Sequence, residues 1–438
     1  MTNKTVRDVV LAEPSYQKVE ELEVLLNAET KRNLNKDVYH RYQNFWYALA
    51  TIKQDQTSSD AINPHARIEN RQAWNRYMCG DLPDKEKEIL SNSLNLTDRD
   101  FDPFTESDWQ DLEVCLEKCS NSYALKILRA WKKPSQCDRP IIDFNNVEFD
   151  ARILFDGFIF NGIAKFSNSL FARETSFSNA CFLKRVDFSE VIFRAPVDFE
   201  GAKFMGNVDY TRARFDYRAN FQNSEFRKTV VFKGATFNDS VDFSNAEFSG
   251  TTSFHKTDFK KIAPFFFNSK LYEDTILSTE EGLWPNTPSI NSENHERAYA
   301  RLRRYMTDIK KPDEEMFFHK LEMREKSSSQ GRASSFMIKA YDRISVFGQS
   351  IYRPMGGLVG LILFGAILFW ACDNSKTPVI DRLMWSISNS IPLVRLSSIV
   401  KPSDISSFLR LYSVFQSIGS SVLIFLTLLA VRNKFRIK

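Results

Sequence analysis

Aromatic residues recur at alternating steps of five and six residues through the middle of this chain. In the stretch FKGATFNDSVDFSNAEF, from Phe232 to Phe248, the phenylalanines are separated by five, six and five residues. The alternation extends without a gap from Phe144 to Phe265, with Tyr210 as the one substitution. The position two residues before each aromatic is small or β-branched from Ala164 onward. The aromatic positions and the small or β-branched positions therefore recur with the same spacing, which indicates a repeat architecture.

The alternating steps exclude a single helix or a flat strand. At ~100° per residue, steps of five and six would place the aromatics on well-separated faces of an α-helix. In a flat strand, the step of five would reverse the face at every second repeat. A coil of short straight sides, each ending in a bend, instead places one aromatic per side at the axis, with successive coils about 4.8 Å apart.

The units resemble the pentapeptide-repeat family, in which a bulky Leu or Phe follows a small residue two positions earlier. The units Ala180-Cys181-Phe182, Ala202-Lys203-Phe204 and Ala246-Glu247-Phe248 fit that pattern. The resemblance implies a mainly β fold, a right-handed quadrilateral β-helix, over residues 141–268. The sixth residue in every second unit departs from the family pattern and predicts coils of about 22 rather than about 20 residues. The predicted core positions of the repeat include Phe182, Phe193, Phe204, Phe215, Phe226, Phe237 and Phe248.

Helical patterns flank the repeat on both sides. Residues 1–140 contain segments such as YQKVEELEVLLNAE and DKEKEILSNSL, which predict an α-helical N-terminal domain. This domain would either cap the open end of the coil or act as a sensing or docking domain, and the pattern does not decide between them. Residues 290–345 predict a helical linker that Pro312 interrupts.

Two uncharged runs near the C-terminus predict a membrane domain over residues 355–438. Residues 355–372 and 414–431 are each near the lower length for crossing a ~30 Å hydrocarbon core. The cations of the tail RNKFRIK, with Arg343 and Arg353, predict that both soluble ends face the cytoplasm, in a multi-pass protein of an inner or cytoplasmic membrane. The helical linker and paired runs together resemble the membrane-attached branch of pentapeptide-repeat proteins.

The segment between the two runs, residues 379–396, is too short to cross a membrane. It mixes apolar and polar residues before a proline, a layout similar to the re-entrant segment of two-span channels. The predicted pore-lining residues are Ser386, Ser388, Asn389, Ser390 and Pro392. The alternative is an amphipathic helix lying in the membrane interface, which Trp385 and Arg382 favour.

Signatures of catalysis and metal binding are missing from the sequence. The five histidines lie in no HExxH arrangement, and there is no CxxC, GxGxxG, Walker loop or GxSxG. Cys115 and Cys119 would share one helix face, where ordinary packing is favoured over a metal site. The sequence therefore predicts no enzyme, no metal and no cofactor.

The charge pattern argues against a nucleic-acid partner. The net charge is +4, and acidic and basic residues nearly balance across residues 141–260, unlike a DNA-mimicking surface. The outward acidic residues, Asp187, Asp198, Asp209 and Asp242, are predicted to form a solvated face. The predicted function is a membrane-tethered, cytoplasm-facing scaffold that binds an unknown protein partner. The alternative is a homo-oligomeric two-span ion channel or membrane-permeabilising effector.

Overall fold

The computed structural model describes residues 39–40, 44–53, 64–94, 96–118, 141–285, 292–372, 378–391 and 406–435. The chain divides into two compact units, Met1–Ser289 and Ile290–Lys438. Among the described residues before the solenoid, the first unit contains β1 (Tyr39–His40), α1 (Phe45–Ala50), α2 (Pro64–Cys79), α3 (Asp84–Leu94), a 3-10 helix (Asp98–Asp100) and α4 (Glu106–Lys118).

Short strands occupy residues 141–277 and end before a second 3-10 helix, Glu281–Leu283. They are β2 (Ile141–Asp143), β3 (Val147–Phe149), β4 (Ile153–Leu154), β5 (Ile159–Phe160), β6 (Ile163–Lys165), β7 (Leu170–Phe171), β8 (Thr175–Ser176), β9 (Cys181–Phe182), β10 (Val186–Asp187), β11 (Ile192–Phe193), β12 (Val197–Asp198), β13 (Lys203–Phe204), β14 (Val208–Asp209), β15 (Arg214–Phe215), β16 (Ala219–Asn220), β17 (Glu225–Phe226), β18 (Val230–Val231), β19 (Thr236–Phe237), β20 (Val241–Asp242), β21 (Glu247–Phe248), β22 (Thr252–Phe254), β23 (Asp258–Phe259) and β24 (Ile276–Leu277).

These strands form the four sides of a parallel β-solenoid of about six turns. Two sides are sheets ordered β1-β3-β7-β11-β15-β19-β23 and β2-β6-β10-β14-β18-β22-β24. The other two sides are ordered β4-β8-β12-β16-β20 and β5-β9-β13-β17-β21. Phe204 pairs with Phe182 on one side and with Phe226 on the other, which gives the coil length that the alternating steps predict. The fold class predicted from the series of aromatic residues between Phe144 and Phe265, here called the aromatic ladder, is confirmed.

The aromatic side chains form four columns along the inside of the solenoid. The Phe204 ring lies 5.0 Å from that of Phe182 and 4.8 Å from that of Phe226, with nearly parallel planes. The seven predicted core residues are all buried and occupy two of the columns: Phe193, Phe215 and Phe237 in one, and Phe182, Phe204, Phe226 and Phe248 in the other. Burial of each phenylalanine side chain stabilises the fold by about 1.5–3 kcal/mol.

Two kinds of corner explain the alternating steps of five and six. In the five-residue step after Phe177, the Ala180 N–H donates to the Phe177 carbonyl oxygen at 3.0 Å, and Asn179 has a φ of 56°. This is a β-turn with positive φ at its third residue, a conformation that Gly and Asn adopt most easily. Every five-residue corner of the coil has positive φ at this position, in Asn146, Gly157, Asn168, Asn179, Glu190, Gly201, Arg212, Asn223, Gly234, Asn245, Lys256 and Asn268. The six-residue steps follow the other two columns of aromatics, for example after Phe182 and Phe193. In the described coil, the corners at these steps have one more residue and no positive φ.

The ladder shifts by one residue at its C-terminal end. The sequence predicts Phe265 as the last core aromatic, and this is wrong. Phe266 is fully buried and stacks on Phe243 at 5.0 Å, while Phe265 is only half-buried and lies 5.6 Å from Phe267. The corner after Phe259 carries one extra residue, which moves the inward position from Phe265 to Phe266.

The N-terminal helices cover the first coil. The Trp74 ring of α2 lies 5.3 Å from Phe160, and its Nε1 donates to the Ile159 carbonyl at 2.9 Å. The Asn75 side chain accepts from the Ile159 N–H at 2.8 Å and donates to the Gly157 carbonyl at 3.1 Å. These bonds satisfy strand groups that would otherwise lack a neighbour. The helices also reach along one side, because Lys203 Nζ donates to the Ser93 carbonyl at 2.7 Å.

The second unit is helical. The helices in its described residues are α5 (Ser292–Asp308), α6 (Pro312–Ser329), α7 (Arg332–Ser345), α8 (Tyr352–Cys372), α9 (Val379–Ser390) and α10 (Ser407–Phe435). Pro312 is the first residue of α6, where its missing N–H costs nothing. Arg303 Nε of α5 donates to Glu322 Oε2 of α6 at 2.6 Å, so the two helices form a hairpin. Asn433 Nδ2 of α10 donates to the Gly348 carbonyl just before α8 at 3.2 Å, so α8 and α10 run antiparallel with α9 packed against both.

Candidate functional site

The outward aspartates of the solenoid take part in its backbone turns. Asp187 Oδ1 accepts from the Ser189 N–H at 2.9 Å, and Asp209 Oδ1 accepts from the Thr211 N–H at 2.8 Å. Asp198 and Asp242 make the same contact with the residue two positions on, at 2.9 and 2.8 Å. These are Asx-type turns, which hold the backbone at the corners. The predicted solvated face is therefore also a structural feature of each coil.

The thiols show no grouping in the described ranges. Cys181 and Cys372 carry free thiols. Cys115 Sγ lies 3.8 Å from the Ala48 carbonyl, which accepts a weak hydrogen bond from it. Cys119 lies outside the described residues. No group of three or more His, Cys, Asp or Glu residues that could hold a metal ion occurs in the described parts of the chain.

A polar cluster lies between the three C-terminal helices α8, α9 and α10. Gln416 Nε2 of α10 donates to the Ser386 carbonyl at 3.1 Å, and lies 2.7 Å from Ser386 Oγ and 2.8 Å from Ser390 Oγ. Ser386 Oγ in turn donates to the Ile362 carbonyl of α8 at 2.7 Å. Gln416, Ser386 and Ser390 are each at most 1% exposed. The cluster therefore joins all three helices.

A glycine of α8 makes room for this cluster. A methyl group added at Gly365 would lie 2.5 Å from Ser386 Oγ and 2.8 Å from Gln416 Oε1, both closer than van der Waals contact. Gln416 Oε1 and Asn389 Nδ2 are buried in the described bundle without a hydrogen-bond partner. A buried polar atom left unpaired costs about 1–3 kcal/mol, so a water or another polar group beside either atom would stabilise the bundle.

The predicted pore-lining residues do not share one environment. Ser386 and Ser390 face the interior of the three-helix bundle within one chain, while Ser388 and Asn389 are half-buried. Pro392 lies outside the described residues. Trp385, which favoured an interfacial helix, packs its ring 4.9 Å from Phe369 of α8.

Sequence reasoning missed Gln416 and Gly365. A signal for Gln416 was present, because it is the one amide side chain in the uncharged run 414–431. Polar side chains inside such runs are rare and usually face a partner. Gly365 gave no comparable signal, since its own uncharged run, residues 355–372, also holds Gly356, Gly357 and Gly360.

The outer faces of α8 and α10 are strongly apolar. Both helices are long and apolar enough to cross a membrane. Large side chains such as Phe364, Trp370 and Phe415 are exposed on these faces.

Comparison with known proteins assigns the solenoid. The family model described as pentapeptide repeats (9 copies) matches residues 155–203, 182–225 and 221–266. The solenoid is a pentapeptide-repeat domain. The matched residues begin at the third side of the first coil and end at Phe266, so the family model covers most of the solenoid and none of the flanking helices. No curated protein and no solved structure matches the chain.

Proposed function

We propose that this protein is a membrane-anchored scaffold in which α8 and α10 cross the bilayer and the pentapeptide-repeat domain binds a protein partner. The observation that carries the proposal is the exposure of the apolar side chains of α8 and α10. A long apolar helix in the core of a soluble protein would be mostly buried, whereas these two bury little of their surface. Hydrocarbon is the solvent that such surfaces favour.

The proposed orientation follows from the cations at one end of the helix pair. The hydrogen bond between Asn433 and Gly348 joins the start of α8 to the end of α10. Arg353, Arg432 and Lys434 lie at this end. Cytoplasmic flanks of membrane helices are enriched in Lys and Arg, so we place this end, and both soluble parts of the chain, in the cytoplasm.

The binding role rests on the form of the solenoid. Its parallel sides, closed by hydrogen-bonded turns, offer a rigid surface on which side chains repeat once in every coil. Repeat folds of this kind present extended surfaces to partners. The surface carries ion pairs such as Lys260 with Asp258 and Arg214 with Asp216, so a partner with mixed charges fits it best.

Membrane fractionation tests the anchor. After washes with high salt and with alkaline carbonate, we expect a chain truncated after Ser350 to be released into the soluble fraction and the full chain to stay in the membrane fraction. The truncated chain keeps α5, α6 and α7, so its release would trace attachment to α8 and α10. Retention of the truncated chain in washed membranes would contradict the proposal.

A second candidate function, an oligomeric channel, is favoured by the polar cluster around Gln416. The helix α9 spans 12 residues, which at a rise of about 1.5 Å per residue is too short to cross the bilayer. Its buried serines and the unpaired Asn389 Nδ2 are the polar groups that an ion or water path would use. Ion conductance of purified protein in planar bilayers, with and without residues 379–391, tests this function. Equal currents in the two proteins would reject it.

A further inference from the structure

The helix α7 turns its apolar face outward. Phe336 is 73% exposed, Met337 is 64% exposed and Ile344 is 37% exposed. At ~100° per residue, these side chains fall on one face of the helix, together with Ala333 and Ala340. A surface helix of a soluble protein normally buries such a face.

The opposite face of α7 makes the contacts with the rest of the unit. Asp342 accepts a hydrogen bond from Arg324 Nε of α6 at 2.9 Å. The Tyr341 ring packs at 5.3 Å against Phe347, which is buried in the turn after α7. The folded unit therefore holds α7 by the face of Tyr341 and Asp342, and its apolar face stays exposed.

Cations border the apolar face. Arg332, Lys339 and Arg343 are exposed, and at helical spacing they lie together on one flank of Phe336. The single acidic residue of the helix, Asp342, is the one that Arg324 already pairs. The outward surface of α7 is thus apolar and positively charged, which complements lipid phosphates above acyl chains.

The chain carries α7 directly to the helices that we propose cross the bilayer. Val346, Phe347 and Gly348 have positive φ and form a left-handed turn that separates α7 from α8 by a few residues. A methyl group added at Gly348 would lie 3.2 Å from Tyr341 Oη, 3.0 Å from Asn433 Nδ2 and 3.5 Å from Leu429 Cδ2. The C-terminal end of α7 therefore lies at the same level as the last turns of α10.

We propose that α7 binds the surface of an anionic membrane leaflet. Phe336, Met337 and Ile344 insert between the headgroups, and the cations Arg332, Lys339 and Arg343 bind lipid phosphates. This inference rests on the proposed anchoring by α8 and α10, because that anchoring places the end of α7 at the membrane surface. The outward face of α7 is then covered by lipid and not by a second copy of the chain.

Site-specific photocrosslinking in vesicles tests the inference. The full chain carries benzoylphenylalanine in place of Phe336, and the matched control carries it in place of Tyr217, an exposed aromatic residue of the solenoid. Both proteins are reconstituted in phosphatidylcholine vesicles with and without phosphatidylserine, and co-flotation with the vesicles is measured first. After irradiation, we expect a lipid adduct at position 336, more of it with phosphatidylserine, and none at position 217.

Removing the cations provides the second measurement. In the triple variant R332Q, K339Q and R343Q, we expect the dependence of the adduct on phosphatidylserine to be lost while co-flotation is unchanged. An adduct with a second copy of the chain, or no lipid adduct at position 336 in protein that co-floats, would overturn the inference and leave the anchor standing. Failure of the unmodified full chain to co-float would instead reject the proposed function.

Discussion

Single residues decide how the chain turns each corner of the solenoid. The third turn position requires positive φ, and Gly157, Asn179 and Asn223 adopt it at low cost. In the sequence, Gly or Asn stands two residues after every second aromatic, except at Glu190, Arg212 and Lys256. That pattern distinguishes the two corner types, so it would have predicted why the steps alternate.

A charge in the aromatic column should prevent folding. Phe204 is fully buried between Phe182 and Phe226, so the substitution Phe204→Asp would place an unpaired carboxylate among stacked rings at a cost of several kcal/mol. We expect a fragment of residues 1–289 with this change to lose its β circular dichroism. The matched substitution Tyr217→Asp, at an exposed aromatic of the same coil, should melt like the unmodified fragment. A cooperative, native-like melt of the Phe204→Asp fragment would contradict the inward assignment.

Relief of backbone strain should raise stability at Lys256. This residue has a φ of 55° at a turn position where its neighbours in the repeat are Gly234 and Asn245. The substitution Lys256→Gly should increase the free energy of unfolding of the same fragment by about 0.5–1 kcal/mol, because glycine adopts positive φ without a steric penalty. The control Lys233→Gly, at a position without positive φ, should lower it. Equal effects of the two substitutions would show that φ is not the cause.

At the scale of elements, the N-terminal helices replace a missing coil. Asn75 offers both an acceptor and a donor to the first coil, as a neighbouring strand would. The sequence predicted helices in this region but not the hydrogen bonds between Asn75 and the first coil. A polar side chain within a helical pattern does not indicate which distant residue it will contact. A capping role and a sensing or docking role predict the same helical pattern, so the sequence could not decide between them, and the contacts of Trp74 and Asn75 add only that these helices cover the first coil.

An ion-pair network in these helices should make their stability depend on pH. Burial alone would raise the pKa of Asp108, but hydrogen bonds from Arg76, Thr105 and Lys53 outweigh it and lower the pKa from 3.8 to about 2. The folded state therefore favours the ionised carboxylate. Its contribution is fully present above the unfolded pKa near 3.8 and is lost as the pH falls from there through about 2.

The substitution Asp108→Asn should remove this dependence and destabilise the fragment by about 2 kcal/mol, since Arg76 and Lys53 lose their shared partner. Thermal melts of the fragment between pH 2 and pH 6 measure both effects. The control Asp102→Asn replaces an exposed aspartate and keeps Asp108, so the loss of stability at low pH should remain. A parallel pH profile for the Asp108→Asn and unmodified fragments would refute the assignment.

Crowding of the polar cluster should loosen the C-terminal helices. The substitution Gly365→Ala brings a methyl group against Ser386 and Gln416, and such overpacking costs about 1–3 kcal/mol. The control Gly360→Ala, on the same helix, meets no atom within 4 Å. In mild detergent we expect Gly365→Ala to lower the melting temperature of the full chain and Gly360→Ala to leave it unchanged. Equal melting temperatures for all three proteins would show that the cluster does not hold the helices together.

For the whole molecule, the sequence was most informative where a pattern repeats. Phe193, Phe215 and Phe237 occupy the same position in successive coils. Because every coil repeats the pattern, the solenoid and its core could be predicted without knowing which distant residues are in contact. One added residue after Phe259 ended that redundancy, and the prediction of Phe265 as the last core aromatic was wrong.

The C-terminal unit shows the opposite case. Composition alone predicted the positions of α8 and α10, because uncharged runs of that length are visible in the sequence. The packing of Gln416 against Ser386 and Ser390 could not be predicted in the same way. Those contacts depend on how three helices meet, and none of them repeats along the chain.

The closed ends of the solenoid bear on aggregation. A stack of parallel, in-register strands with identical rings in columns is also the arrangement of amyloid fibrils, which grow by adding chains at an open end. Here Trp74 lies against Phe160 at one end, and Trp284 lies 5.1 Å from Phe259 at the other. The two tryptophans terminate columns that could otherwise accept another molecule. A chain that loses either one would keep its coils and gain a surface on which fibres can start.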